Sequence, residues 1–133
     1  MRTAVRRLTV VVADDHHAVR AMIARLLEPD FDVVAAVGTG KDLLAAIAAS
    51  QPDAAVVDIF MPDMTGIEAV RRLPPSLHPA IVFLTTVNDP ALAAEALCRG
   101  GQGYVLKGSA AFDLVPALRA ALAGRTFISS PLH

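Results

Sequence analysis

The chain has 133 residues, 54% of them hydrophobic, with a formal net charge of −1 and a single cysteine. That length suits one domain with one core, and that hydrophobic content excludes an intrinsically disordered chain. The near-neutral balance removes nucleic-acid binding by bulk charge, the lone Cys98 removes an internal disulfide and fits a reducing cytoplasm, and no apolar run approaches the ~18 residues that span a bilayer. Arg2, Arg6 and Arg7 open the chain, but Asp14 and Asp15 follow too soon for the apolar core of a signal peptide.

Strand and helix patterns then alternate. Leu8–Ala13 is a short β-branched run that predicts a strand buried on both faces. Apolar residues at Val19, Met22, Ile23, Leu26 and Leu27 predict a helix over His17–Leu27, stopped by Pro29. Phe31–Val37 reads as a second strand and Lys41–Ala49 as an Ala/Leu helix closed by Ser50 and Pro52. Ala54–Asp58 is a third strand, followed by a Met-Pro-Asp-Met-Thr-Gly loop. A helix over Ile67–Leu73 ends at Pro74 and Pro75. Ala80–Thr85 is a fourth strand. Asp89 is placed to cap a helix from Pro90 to near Gly100. Gly103–Leu106 is a fifth strand, and a last helix runs from about Ala111 to Ala123, closed by Gly124. Pro116 falls inside it and predicts a kink.

Five strand–helix repeats imply an α/β fold with a parallel sheet covered on both faces. Sites in such sheets form at the carboxyl ends of the strands. Asp14 and Asp15 end the first strand, Asp58 the third, Thr85 and Thr86 the fourth, and Lys107 the fifth. Three carboxylates, two hydroxyls and an ammonium therefore share one edge. Clustered carboxylates repel, and a hard divalent cation held by oxygens, Mg²⁺, resolves the repulsion. A carboxylate can also attack phosphorus to form an aspartyl phosphate, a transfer that needs chiefly positioning and charge neutralisation.

Four segments carry a resemblance. VVVADDHHAVRAM, VVDIFMPDMTGIEAVRRL, IVFLTTVND and ALCRGGQGYVLKGSA together resemble the receiver domain of bacterial two-component response regulators of the NarL/LuxR (FixJ-like) type, over about residues 7–124. The resemblance implies a (βα)5 flavodoxin-like (CheY-like) doubly wound sheet of strand order 2-1-3-4-5. It implies Asp58 as phosphoacceptor, and a Mg²⁺ site formed by Asp14, Asp15, Asp58 and the backbone carbonyl of Phe60. Asp15 is the direct ligand of the acidic pair, and Asp14 acts partly through water. It further implies Lys107 as partner of the phosphoryl group, Thr85 as switch hydroxyl, Tyr104 as the aromatic that turns inward when Thr85 moves, and Thr86 beside the phosphate entrance. The implied partners are a sensor histidine kinase and a second copy of the chain after phosphorylation. The implied setting is cytoplasmic, with no membrane contact and no nucleic-acid contact by this domain itself.

Competing readings follow from particular residues. His16 and His17 extend the acidic pair into a possible transition-metal set, since imidazole suits such ions. Adjacent residues at a strand–helix turn point apart, however, so a helix-start role is expected for His16. VGTGKD resembles the tail of a phosphate-binding loop, but the glycine required five positions before Gly40 is Ala35, and Asp42 stands where Ser or Thr belongs. RGGQGY opens a strand, whereas a dinucleotide fingerprint opens a helix. An aspartyl phosphatase would need a second Asp where Phe60 stands. A degenerate receiver serving only as an interaction module stays open through Gly108 and Thr86, and Gly108, where relatives often carry Pro or Asp, predicts a looser loop. GRTFISSPLH resembles the start of a linker, so residues 1–124 are expected as the receiver. Residues 125–133 are expected as the beginning of a connection to a helix-turn-helix effector domain that controls transcription.

Overall fold

The computed structural model describes residues 7–129 apart from Arg99. In chain order the elements are β1 (Thr9–Ala13), α1 (His17–Leu27), β2 (Asp32–Val37), α2 (Gly40–Ser50), β3 (Ala54–Asp58), α3 (Gly66–Arg71), β4 (Ala80–Thr85), α4 (Pro90–Cys98), β5 (Gly103–Leu106), α5 (Ala110–Leu122) and β6 (Phe127–Ile128). Single 3₁₀ turns, Pro75–Leu77 and Lys107–Ser109, precede β4 and α5. The strands form one sheet in the order β2-β1-β3-β4-β5-β6, and every pairing is parallel. The expected doubly wound order is present, with one strand added at its edge.

Strand alternation builds the two sides of the core. Val11, Val57, Ile81, Phe83 and Tyr104 point to one face, where Leu43 and Ile47 of α2, Ile67 and Val70 of α3, and Ala93 and Ala96 of α4 cover them. Val10, Val12, Val56, Val82, Leu84 and Val105 point to the other, under Ile23 and Leu27 of α1 and Leu114 and Leu118 of α5. With both faces buried, the central strands need no polar positions until they reach the sheet's edge. No helix among the described residues is long and apolar enough to cross a membrane.

Loop chemistry sets the element ends. Asp63 accepts the N–H groups of Gly40 and Lys41, each at 2.9 Å, and Thr39 Oγ1 accepts that of Asp42. The glycine-rich VGTGKD stretch is thus a capped helix start whose donors are already used. Gly124 (φ +77) ends α5 in a Schellman arrangement, with Arg125 N–H on Ala120 O and Gly124 N–H on Ala121 O. Pro116 does not end α5: it is exposed, and the helix continues to Leu122. The carbonyl it leaves unpaired belongs to Phe112, itself 83% exposed, so water can satisfy it. Lys107–Ser109, which contains Gly108, winds directly into α5 through Ala110 N–H on Lys107 O.

The segment expected to begin a linker behaves differently from that expectation. Phe127–Ile128 pairs with Gly103 and Tyr104 as β6. Ser129 is fully buried. Its N–H donates to Tyr104 O, its hydroxyl accepts the Leu106 N–H at 3.0 Å, and the same hydroxyl donates to Asp113 Oδ2 at 3.0 Å. The ordered unit therefore passes the boundary expected at Gly124; residues 130–133 lie outside the described part. Ser129→Ala strands a buried N–H and removes one donor to Asp113, so urea unfolding should show a loss of about 1–2 kcal/mol.

Candidate functional site

The carboxyl ends of β1, β3 and β5 meet around one ammonium. Lys107 Nζ lies 2.9 Å from Asp14 Oδ2 and 3.2 Å from Asp58 Oδ2. Both carboxylates are buried, Asp14 completely. Asp14 Oδ2 has the ammonium beside it but no aligned hydrogen bond. Its other oxygen accepts the backbone N–H of His16 at 2.9 Å, and Asp58 Oδ1 accepts the Phe60 N–H at 3.2 Å. Asp15, exposed, completes the acidic group at the rim.

Burial raises the pKa of Asp58 to about 6, with the negative charge of Asp14 adding to the effect; Lys107 and the Phe60 N–H oppose it. Burial works against the charge on Lys107, but hydrogen bonding and attraction from Asp14 and Asp58 outweigh it and raise its pKa. One cation among two buried anions leaves a net negative site. A ligand atom from each of Asp14, Asp15, His16 and Asp58 lies within 4.8 Å of every other. The set has a fully buried carboxylate oxygen whose polar neighbour is the Lys107 ammonium, carboxylates from two strand ends and no thiolate. It fits a divalent cation.

The backbone explains how the group is held. Asp14 N–H donates to Val37 O, and Arg20 from α1 donates to Asp14 O at 2.8 Å. A side chain at Gly38 would press on that guanidinium, with Cβ 3.0 Å from Nη1. Gly66 brings the loop after β3 back against its own strand: its N–H donates to Ile59 O, and a Cβ there would stand 2.3 Å from Asp58 O. Arg20 and Asp63 hold the loops around the acidic group, but isolated charges in helical or loop sequence gave no signal of that work.

The other expected residues fall nearby in different ways. Thr85 is buried at the end of β4, and its Oγ1 accepts the Val87 N–H at 3.2 Å. Thr86, next to it, is exposed. Tyr104 is already fully buried, with its hydroxyl donating to Val87 O at 2.6 Å. Phe60 is 51% exposed beside Asp58. The two histidines part company. His17 turns to Arg20, with Nδ1 3.2 Å from Nη2. His16, expected to point away from the carboxylates, does not: its Nδ1 lies 3.1 Å from Asp15 Oδ1 and 3.6 Å from Asp14 Oδ1. As the extended N-cap residue of α1 (φ −89, ψ 111), it sits where the chain reverses, which swings the ring back over the acidic pair.

Comparison with known proteins extends over this whole arrangement. The response regulator receiver domain family matches residues 10–119. The transcriptional regulatory protein UhpA of Escherichia coli (strain K12) is 34% identical over 124 residues, which cover 92% of this chain and 62% of UhpA. The chain thus spans less than two thirds of that relative's length. A crystal structure of a LuxR-family two-component response regulator from Aurantimonas sp. SI85-9A1 superimposes with a TM-score of 0.89 at 32% identity, covering 96% of this chain and 93% of the other. The isolated receiver domain of RcsB from Salmonella enterica serovar Typhimurium, determined with the phosphomimetic BeF3⁻, gives 0.85 at 27% identity, with 96% of each chain covered. Agreement of this extent, from β1 into α5 and among LuxR-family neighbours, has a single meaning: the chain belongs to the response regulator receiver domain family and is of the NarL/LuxR type.

Proposed function

We propose that this chain accepts a phosphoryl group on Asp58 from a sensor histidine kinase and passes the change in charge to a transcriptional output. The observation that carries the reading is the Lys107 ammonium held between Asp14 and Asp58 at 2.9 and 3.2 Å. A carboxylate oxygen of Asp58 attacks phosphorus, the bond from phosphorus to the donor nitrogen breaks, and the imidazole of the donor leaves with that electron pair and takes up a proton. Lys107 follows the new charge and pairs with a phosphoryl oxygen. Asp14, Asp15, Asp58 and the Phe60 carbonyl would hold Mg²⁺, which when bound neutralises charge on the transferring group.

Thr85 is the group placed to respond. Its hydroxyl is engaged only by the Val87 N–H among the described hydrogen bonds. Turning that hydroxyl toward a phosphoryl oxygen releases Val87, whose carbonyl anchors Tyr104. The loop after β4 and the face around α4 and β5 then repack. Thr86 lines the approach to Asp58. The wider reading, a cytoplasmic regulator with an effector domain beyond residue 129 and a symmetric dimer after phosphorylation, is supported by UhpA being a transcriptional regulatory protein and by RcsB dimers having been seen on DNA.

Three measurements test this. Incubation with Mg²⁺ and acetyl phosphate should add one phosphoryl group to the intact mass of the chain and none to Asp58→Asn; an unmodified wild type would overturn the reading. The Phe60 side chain offers no polar atom to orient an attacking water, so the phosphorylated chain should be long-lived. Phe60→Asn should then lose its phosphoryl group several-fold faster, read by the decay of the added mass. The third concerns pH. Asp58 titrates near 6 in the folded state against an ordinary 3.8, so its charge opposes folding. Below 3.8 the group is protonated in both states and costs nothing; as pH rises through about 6, stability falls. In metal-free buffer Asp58→Asn should therefore be more stable than wild type by about 1–2 kcal/mol at pH 7, and the gap should close toward pH 4.

A further inference from the structure

The VGTGKD turn bridges the end of β1 and the loop that follows Asp58. On one side, Val37 O accepts the Asp14 N–H at 3.0 Å. On the other, the N–H groups of Gly40 and Lys41 donate to the two oxygens of Asp63, each at 2.9 Å. Those bonds hold the Asp63 carboxyl below the usual carboxylate range, so it is ionised at neutral pH. Gly40 is buried, and a Cβ there would press on Met64, 2.8 Å from its Sδ. Two consecutive residues, Asp63 and Met64, therefore seat the tip of the loop after β3 on the start of α2.

The loop is also closed at its base. Gly66 N–H donates to Ile59 O at 2.7 Å, and Phe60 bridges to Thr65. Asp58 Oδ1 accepts the Phe60 N–H, which ties the Phe60 peptide to the carboxylate before it. Closed at the base and seated at the tip, the loop has little freedom to turn the Phe60 carbonyl. Helix α2 has a cap of its own, because Thr39 Oγ1 accepts the Asp42 N–H at 3.1 Å. Asp63 is a second cap, exposed and supplied from another part of the chain.

We infer that Asp63 is a positioning residue for the phosphoacceptor loop: through the first two N–H groups of α2 it fixes Asp58 and the Phe60 carbonyl relative to Asp14 and Asp15, and so preorganises the site for Mg²⁺. The inference rests on the receiver reading above. Without Asp63 the loop samples arrangements that do not bind the ion, and apparent affinity falls by the fraction of time spent in them. Once the ion is bound the loop is in place, so transfer to Asp58 keeps its rate.

The test compares wild type with Asp63→Ala, Asp63→Asn and Thr39→Ala. The last removes the other cap of α2 without touching the loop after β3. By calorimetric titration, Asp63→Ala should bind Mg²⁺ about tenfold more weakly than wild type. Asp63→Asn, which keeps one acceptor oxygen, should fall between them, and Thr39→Ala should keep the wild-type affinity. At saturating Mg²⁺ all four should take a phosphoryl group from acetyl phosphate at the wild-type rate. In metal-free protein, the Phe60 and Gly66 amides should exchange hydrogen faster in Asp63→Ala and at the wild-type rate in Thr39→Ala. Wild-type affinity and exchange in Asp63→Ala, equal losses in Thr39→Ala, or a rate deficit that persists at saturating Mg²⁺ overturns the inference and leaves the receiver reading standing. Failure of wild type both to bind Mg²⁺ and to take up the phosphoryl group overturns both.

Discussion

Lys107 holds together the ends of three strands that the chain supplies far apart in sequence. Its ammonium reaches Asp14 at the end of β1 and Asp58 at the end of β3 from its own place after β5. Removing two carboxylates from water is costly, and one ammonium cannot offset both. Burial, with the charge of Asp14 adding to it, raises the pKa of Asp58 despite the ammonium. The fold tolerates this because the apolar strands below supply the stability: Val10–Ala13, Ala54–Val57 and Ile81–Leu84 are all essentially buried. The same excess charge that weakens the fold suits the site to a cation, and Asp58 is desolvated yet mostly ionised at neutral pH.

Thr85 and Tyr104 are joined through one residue of the loop after β4. Val87 is bound twice, by its N–H to Thr85 and by its carbonyl to Tyr104. Burial and the nearby charge of Asp89 raise the Tyr104 pKa, so its phenol stays a donor. The helix beyond this loop, α4, buries only Ala93 and Ala96. With Leu92 only partly buried beside them, α4 buries less apolar area than α5, which is fixed by Leu114 and Leu118. The proposed rearrangement at Thr85 would therefore meet less resistance toward α4 than toward α5.

The fold was legible because each of its signals is local. β-branched runs mark buried strands, and the punctuation by Pro29, Pro52, Pro74 and Gly124 marks where helices end. The strand-end rule then collects Asp14, Asp58 and Lys107 without any knowledge of contacts. Illegible were features that depend on where the chain goes after a turn. The side chain of His16 could not be directed from sequence, because its orientation follows from the φ and ψ of one N-cap residue. Arg20 and Asp63 look like ordinary surface charges until their backbone partners, Asp14 O and the N–H groups of Gly40 and Lys41, come into range. Two apolar residues, Phe127 and Ile128, are too few to announce a strand; only the free edge of β5 makes them one.

That edge gives the tail its significance. β5 has two neighbours. On one side is β4, with Thr85 opposite Leu106; on the other is β6, with Tyr104 opposite Ile128. Leu106, which pairs with Thr85 in register, also gives its N–H to Ser129 and is followed directly by Lys107. The strand that holds the buried tyrosine and leads directly into Lys107 is thus also the strand on which β6 and Ser129 are anchored. Hydrogen bonds in a parallel ladder are slanted and tolerate little sliding, so a shift of β5 relative to β4 cannot be absorbed at its outer edge without moving β6 or breaking the Ser129 bonds. Whatever displaces Lys107 acts, within one residue, on the Leu106 N–H that holds Ser129.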